Sequence, residues 1–419
     1  MAKSVIVLSS PGQGGDAGVV KATLAVVKGP WELDDSVPVV AELAGGDNAE
    51  ALRSATEDRV TVVQSSHLIA RLTAQVCRQP GLSQVYTELL DFAGDEIYFH
   101  AQKELAGRAY GEALLAFDGS TVMGVRARDG RVTLNPPLDR EIGPDEALVL
   151  IAADDDTVAF SGSAPFDPPK TEQGAPTLEP ESILLIGWNP FAPLILKELD
   201  GYVAPGSSVT ALVDVTLVPP EQLDLSVGLD CFRVEFVHGP IPGDQLEALM
   251  GRDYDHAIVL CYRQGLTEAE ADARVLLTLL QIRGAIGRAG HETNVVAELL
   301  DERDVALAQS AGVDEFIVSE RLTSLVMAQL SENVGLQPVF EDLLDAEGAE
   351  VYLKPLRLYS EGDDDGDFAS LVRAAAARGE TAIGYRTNGA GTVVLNPPKS
   401  APVGYEDDVL LVVLAEHEA

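Results

Sequence analysis

Five carboxylates crowd one short stretch of this sequence: Glu361, Asp363, Asp364, Asp365 and Asp367. Hard oxygen ligands at that density suit calcium, whose coordination is adaptable, better than magnesium. EF-hand spacing is not met, because in a frame begun at Asp363 the glycine position holds Phe368 and the terminal glutamate position holds Ala374. A solvated acidic loop is the alternative reading, and residues 154–156 offer a smaller cluster of the same kind.

Two loops raise the question of a nucleotide. The segment PGQGGDAG, residues 11–18, has Gly12, Gly14 and Ala17 at GxGxxA spacing after a strand-like run. Such glycines let a backbone and a helix N-terminus approach pyrophosphate. The segment IGWNPFAP, residues 186–193, keeps Gly187 but places Asn189 and Phe191 where small residues are needed. Trp188 would cover a ligand or pack at the sheet edge. Asp214 ends the next strand, where a carboxylate can hold a ribose hydroxyl, or else caps or packs. Gly187, Trp188, Asn189 and Asp214 are therefore the candidate nucleotide or ligand residues.

Catalytic spacings are missing. His67, His100, His238, His256, His291 and His417 form no HExxH pattern, and no serine lies in a GxSxG elbow. Ser319 reads as the N-cap of a helix over 321–330, with Ser65 or Ser66 in the same role earlier in the chain. No enzyme activity is expected.

These residues sit in a duplicated framework. VVAEL occurs at Val39 and Val295, VYTELLDFAGDEIYF at Val85 answers VFEDLLDAEGAEVYL at Val339, and VTLNPP at Val132 answers VVLNPP at Val393. The three pairs keep their order at separations of 256, 254 and 261 residues, which chance matches would not do. In the second copy, apolar runs at 182–186, 208–213, 232–236, 257–260, 293–297 and 315–318 alternate with helical stretches, as in a doubly wound parallel sheet. In the first, runs at 5–8, 37–41 and 60–63 match only the last three of these, so its sheet is expected to be N-terminally truncated and completed from upstream or by another chain. The repeat also sets the loop at 11–18 against residues 261–265, after a later strand than a dinucleotide loop should follow, which favours a flexible turn there.

The expected fold class is α/β, with two modules, each a Rossmann-like parallel-sheet lobe plus a smaller α+β lobe. The expected division is a truncated lobe over 1–83, a helical connector over 84–100, a small lobe over 101–160 and a linker over 161–180. A second large lobe follows over 181–335, then a helical connector over 336–354 and a small lobe over 355–419.

Composition narrows the partners. With 67 acidic residues against 29 basic ones, the formal charge of -38 repels nucleic acid and anionic lipid and attracts cations. Three dispersed cysteines, Cys77, Cys231 and Cys261, give neither a disulfide framework nor a zinc site and suit a reducing compartment. No apolar run approaches the length needed to span a bilayer, so no direct membrane insertion by these residues is expected.

The segments IGWNPFAP, VVAELLDE, DEFIVSERLTSLVMAQLSEN, VFEDLLDAEGAEVYLKP and ETAIGYR followed by VVLNPP together resemble the cytosolic part of the CASTOR/POLLUX ion channels, most strongly over 181–416. That family is related to potassium channels with RCK gating rings. The resemblance implies a cytosolic tandem-RCK gating region of a bacterial channel, with pore helices upstream of Met1 and four subunits forming a ring. It also implies a membrane location for the longer protein and calcium as regulator, while leaving nucleotide binding open. The rival readings are an NAD-dependent oxidoreductase and a soluble nucleotide-sensing regulator.

Overall fold

The computed structural model describes residues 2–9, 15–30, 33–34, 36–166, 179–223, 225, 228–290, 293–346, 348–359, 366–387, 391–404 and 409–417. Each of its two compact units draws on both copies of the repeat: Met1–Ser83 with Leu178–Val334, and Gln84–Thr177 with Gly335–Ala419.

In the first unit, the run SILLI forms the strand Ser182–Ile186, buried over its last four residues, as expected for a parallel strand covered on both faces. Six parallel strands lie in the order Phe232–His238, Ser207–Val213, Ser182–Ile186, His256–Val259, Asn294–Leu299, Glu315–Val318. Counted along the chain this is the doubly wound order 3-2-1-4-5-6, which reverses beside Ser182–Ile186. The helix Glu268–Ala289 starts at a capping box between Thr267 and Glu270 and stops at Gly290, whose φ of 74° is left-handed.

The first copy contributes three parallel strands, Val5–Val7, Val39–Leu43 and Val60–Gln64, in the order of the last three strands of the larger sheet. Val19, Val39, Ala41, Leu52 and Val60 form their core. The correspondence reaches single atoms. Asp16 accepts the N–H groups of Ala44 (2.8 Å) and Gly45 (3.1 Å), and Asp272 accepts those of Leu300 (2.9 Å) and Asp301 (2.8 Å). Helix Asp16–Lys28 is thus the counterpart of Glu268–Ala289, and the loop before it follows the fourth strand type, not the first. Residues 10–14 of that loop lie outside the described residues. Helix Ser65–Arg78 packs on the second large lobe, with Arg78 paired to Glu181 at 3.0 Å and the Cys77 carbonyl accepting from Asn294 at 2.5 Å.

The second unit holds two antiparallel four-stranded sheets of the same order. One runs Glu96–His100, Ala147–Ala152, Thr121–Arg126, Val132–Leu134; the other runs Glu350–Pro355, Leu410–Ala415, Thr381–Arg386, Val393–Leu395. Both break register at one glycine, Gly124 or Gly384, where a Cβ would stand 2.3 Å from a neighbouring carbonyl oxygen. Within 84–100 and 336–354, each connector helix leads into the first strand of its small sheet. One core containing Tyr110, Phe117, Leu150, Phe368, Leu411 and Val413 serves both sheets.

The Asn-Pro-Pro segments do more than stop strands. Asn135 and Asn396 both adopt positive φ, at 43° and 50°. Asn135 donates to Gly379 O (2.8 Å) and accepts from Thr381 Oγ1 (2.8 Å), while Asn396 donates to Gly119 O (3.1 Å) and accepts from Thr121 Oγ1 (2.9 Å). Each small lobe thereby clasps the other through the same residues.

The clasp is unequal in one respect. Lys399 follows Pro398 where the first copy has Leu138 after Pro137. Its buried Nζ donates to Thr121 Oγ1 (2.8 Å) and Ser120 O (3.2 Å), faces Asp118 and lies 5.2 Å from the centre of the Phe368 ring. Burial lowers its pKa from 10.5 to about 7, against the opposing pull of Asp118. From about pH 7 to 10.5 the unfolded chain therefore holds the extra proton, and this site's contribution to stability rises with pH. Lys399→Leu should raise the urea midpoint at pH 6, and its advantage over the parent should shrink toward pH 10. An advantage independent of pH would contradict the shift.

Candidate functional site

Doubly wound sheets bind ligands beyond the carboxyl ends of their strands, where the strand order reverses. Here that point is the loop after Ser182–Ile186, beside the end of His256–Val259. Gly187 turns the chain at φ +86°, and a Cβ there would stand 2.4 Å from Leu260 O. Packing between two central strands thus requires the glycine without reference to a ligand.

Trp188 is 2% exposed, donates from Nε1 to Gln222 O (3.2 Å) and meets Phe236 edge-on at 5.2 Å. Asn189 is buried and turns inward, donating to Cys261 O (3.0 Å) and Glu298 Oε2 (2.7 Å) and accepting from Phe191 N–H (2.9 Å). Around this loop lies a cleft of about 320 Å³, lined by Trp188, Pro190, Val218, Gln222, Tyr262 and Arg263 among others.

Several of the loop's backbone donors are used or missing. Gly187 donates to Leu212 O, Phe191 to Asn189 Oδ1 and Ala192 to Asn189 O, while Pro190 and Pro193 have no N–H to give. The following helix, Ala192–Asp200, has no side-chain cap. Fewer backbone donors are thus left to cradle a pyrophosphate than in a glycine-rich loop. Of the candidate residues, Trp188 and Asn189 line the cleft and Gly187 does not, and the lining suits a ligand held by apolar and side-chain contacts.

Asp214 is drawn into its own turn. Its Oδ1 accepts from Thr216 N–H (3.0 Å) and Oγ1 (2.6 Å), and its Oδ2 lies 3.8 Å from Arg274 Nη1. Its N–H donates to Tyr262 Oη at 2.9 Å. Burial pushes the Tyr262 hydroxyl up to about 12, against the lowering effect of the Asp214 N–H that it accepts.

Sequence reasoning missed the strongest polar feature near the cleft. Glu298 is 4% exposed and accepts from Cys261 N–H, Asn189, Arg263 and Ser319. Ser319 is accordingly no N-cap: its hydroxyl serves Glu298, and its helix, Ser319–Glu332, has no side-chain cap. Ser65 likewise bonds Leu43 O (3.4 Å) and leaves its helix uncapped. The signal was available in VVAEL, where a glutamate inside an apolar strand must be paired if the strand is buried.

Of the acidic cluster, Glu361, Asp363, Asp364 and Asp365 lie outside the described residues. Asp367 caps helix Phe368–Ala377, accepting from Ser370 N–H (2.9 Å) and Oγ (2.5 Å), and these hydrogen bonds hold its pKa below the ordinary value. Among the described residues, the exposed Asp154, Asp155 and Asp156 carboxylates come within 4.8 Å of one another. No described helix is long and apolar enough to cross a membrane.

Residues 66–166 match the family model described as "Castor and Pollux, part of voltage-gated ion channel". The chain is 27% identical over 463 residues to "Probable ion channel CASTOR" of Oryza sativa subsp. japonica, covering 100% of this chain and 51% of that protein. It is 27% identical over 469 residues to "Probable ion channel POLLUX" of Arabidopsis thaliana, covering 100% of this chain and 55% of that protein. The chain thus spans about half the length of the curated relatives it matches. In fold it is similar to the human SLO3 gating ring, with a TM-score of 0.68 at 13% identity, over 99% of this chain and 87% of that one.

Proposed function

Proceeding from a chain of CASTOR/POLLUX type that carries two RCK-like modules, we propose that it is the cytosolic gating region of a cation channel of the potassium type. It would couple binding of a cation or small ligand to the opening of a pore in a longer membrane protein. The observation that carries this reading is the pairing of like with like: large lobes share one unit and small lobes the other. A ligand that alters the fit between two copies can then alter the spacing of whatever each copy is tied to. The channel names of the relatives favour regulation over enzymology, and the two prolines and the used N–H groups of Gly187, Phe191 and Ala192 count against an NAD-dependent oxidoreductase.

A ring of four such chains would bury apolar surface. Leu277 and Leu280 on helix Glu268–Ala289 and Leu307 on Val305–Ser310 are 54%, 58% and 56% exposed, a surface of the kind such contacts cover. Calcium is the proposed regulator, through Glu361, Asp363, Asp364, Asp365 and Asp367. Carboxylates brought close to other acidic groups repel until a divalent ion neutralises them, so binding favours the compact arrangement. The cleft lined by Trp188 and Asn189, with Gly187 and Asp214 outside its lining, is the second candidate, for an uncharged ligand.

Only a difference in affinity between two arrangements shifts their balance. Single-channel recording of the longer protein, with calcium titrated on the side of this region, should show open probability shifted about 5- to 150-fold. Changing Asp363, Asp364 and Asp365 to asparagine together should abolish that shift. Calcium insensitivity in the parent would remove the calcium role, whereas currents unchanged by deletion of residues 178–419 would remove the gating role itself.

A further inference from the structure

The buried carboxylate beside the cleft has the surroundings of a bound anion. Glu298 Oε2 accepts from Cys261 N–H (3.1 Å) and Asn189 Nδ2 (2.7 Å). Its Oε1 accepts from Ser319 Oγ (2.9 Å) and from Arg263 Nε (3.2 Å) and Nη2 (2.6 Å). These donors reach Glu298 from the loop after the first strand of the sheet, the end of the fourth and the start of the helix after the sixth. A strand-end N–H, an amide, a hydroxyl and a guanidinium are the groups that recognise carboxylate and phosphate oxygens. They converge where a doubly wound sheet ordinarily receives its ligand's phosphate.

We propose that this is an oxyanion site that the chain occupies itself, with the Glu298 carboxylate standing where a ligand's carboxylate or phosphate would otherwise bind. Self-occupation holds the three segments together with no ligand present. It also excludes phosphorylated ligands. Among the described residues Arg263 is the one cation bonded to Glu298, which already balances it; Asp272, bonded to the Cys261 thiol at 3.5 Å, adds further negative charge nearby. An arriving phosphate would leave surplus buried charge without a partner.

The first copy supplies an internal contrast. Glu42, the counterpart of Glu298, accepts from Ser9 N–H at 3.1 Å, but Ser65, in the place of Ser319, turns its hydroxyl to Leu43 O. Glu42 therefore keeps the strand-end donor while its serine serves the backbone. This inference does not rest on the gating reading, and its test uses the chain alone.

Glu298→Ala empties the site while leaving its donors in place. Acetate or formate, compared with chloride at equal ionic strength, should raise the melting temperature of this variant saturably by about 5 °C and leave the parent unmoved. Equal effects on both proteins, or none on the variant, would overturn the proposal. Recovery of folded variant only from acetate-containing refolding buffer would support it. The parent supplies a second arm that does not depend on the variant folding: inorganic pyrophosphate should give no saturable thermal shift beyond that of matched chloride. A saturable shift that disappears in Arg263→Gln would show that the donors accept an outside anion despite Glu298, and the idea would fail.

Discussion

Glu380→Ala should lower the stability of the second unit by about 3–5 kcal/mol, the cost of removing one partner from a buried ion pair. The Lys354 Nζ stands 3.0 Å from Glu380 Oε1, and the two side chains are 3% and 2% exposed. Glu380 also accepts from Arg378 Nε at 3.4 Å and from the Tyr359 hydroxyl. Two cations and a phenol thus converge on one carboxylate. Burial, followed by the charge of Glu380, pushes the Tyr359 hydroxyl far above its ordinary value. Without Glu380, the Lys354 ammonium keeps a hydrogen bond to His417 O (3.1 Å) but loses the charge that compensates its burial.

The same argument predicts that pairing Lys354→Met with Glu380→Leu recovers most of the loss, because apolar residues of similar size require no countercharge. The first copy already manages without the pair, since His100 and Ser120 stand at the equivalent positions. Urea denaturation of both single variants and the double variant would decide the matter. Additive losses would mean that the two charges do not serve each other.

Gly187→Ala should cost about 3 kcal/mol or more, since positive φ is costly for a non-glycine residue and a backbone overlap must also be relieved. The φ of +86° accounts for the first part, and the 2.4 Å approach of a Cβ to Leu260 O for the second. Leu260 follows a central strand and donates its own N–H to Ile186 O at 2.8 Å, so relief requires two hydrogen-bonded central segments to separate. Gly206 separates the two contributions: it has φ +105° but open space around its Cβ position. Gly206→Ala should carry the conformational cost alone, about 1 kcal/mol. Equal melting temperatures for the two variants would show that the contact at Leu260 does not constrain the sheet.

These expectations place function on differences between copies. The two Asn-Pro-Pro clasps are alike, as are the paired aspartates Asp16 and Asp272. The Lys399 site, the Lys354–Glu380 pair and the five-donor site around Glu298 are features of the second copy, where the first has Leu138, His100 with Ser120, and Glu42. A duplicated scaffold that keeps its clasps and diversifies its charged sites retains a common geometry while assigning the copies different tasks.

By itself the sequence determined the repeat, the succession of strands along the chain and the α/β class. Those follow from local pattern: SILLI and VVAEL read as buried strands because their apolar runs are short and unbroken, and the spacing of repeated segments survives in the linear chain. It also set IGWNPFAP apart from a glycine-rich phosphate loop, since Asn189 and Phe191 stand where small residues are needed. Only the tertiary structure decided where the polar groups meet. Ser319 looked like a cap because an N-cap is defined by neighbours in sequence, yet its hydroxyl serves Glu298, 21 residues away. The donors of Glu298 come from positions up to 109 residues distant, and each looks ordinary alone. Strand pairing follows from periodicity, whereas the neutralisation of a buried charge depends on which loops the sheet order brings to the same edge.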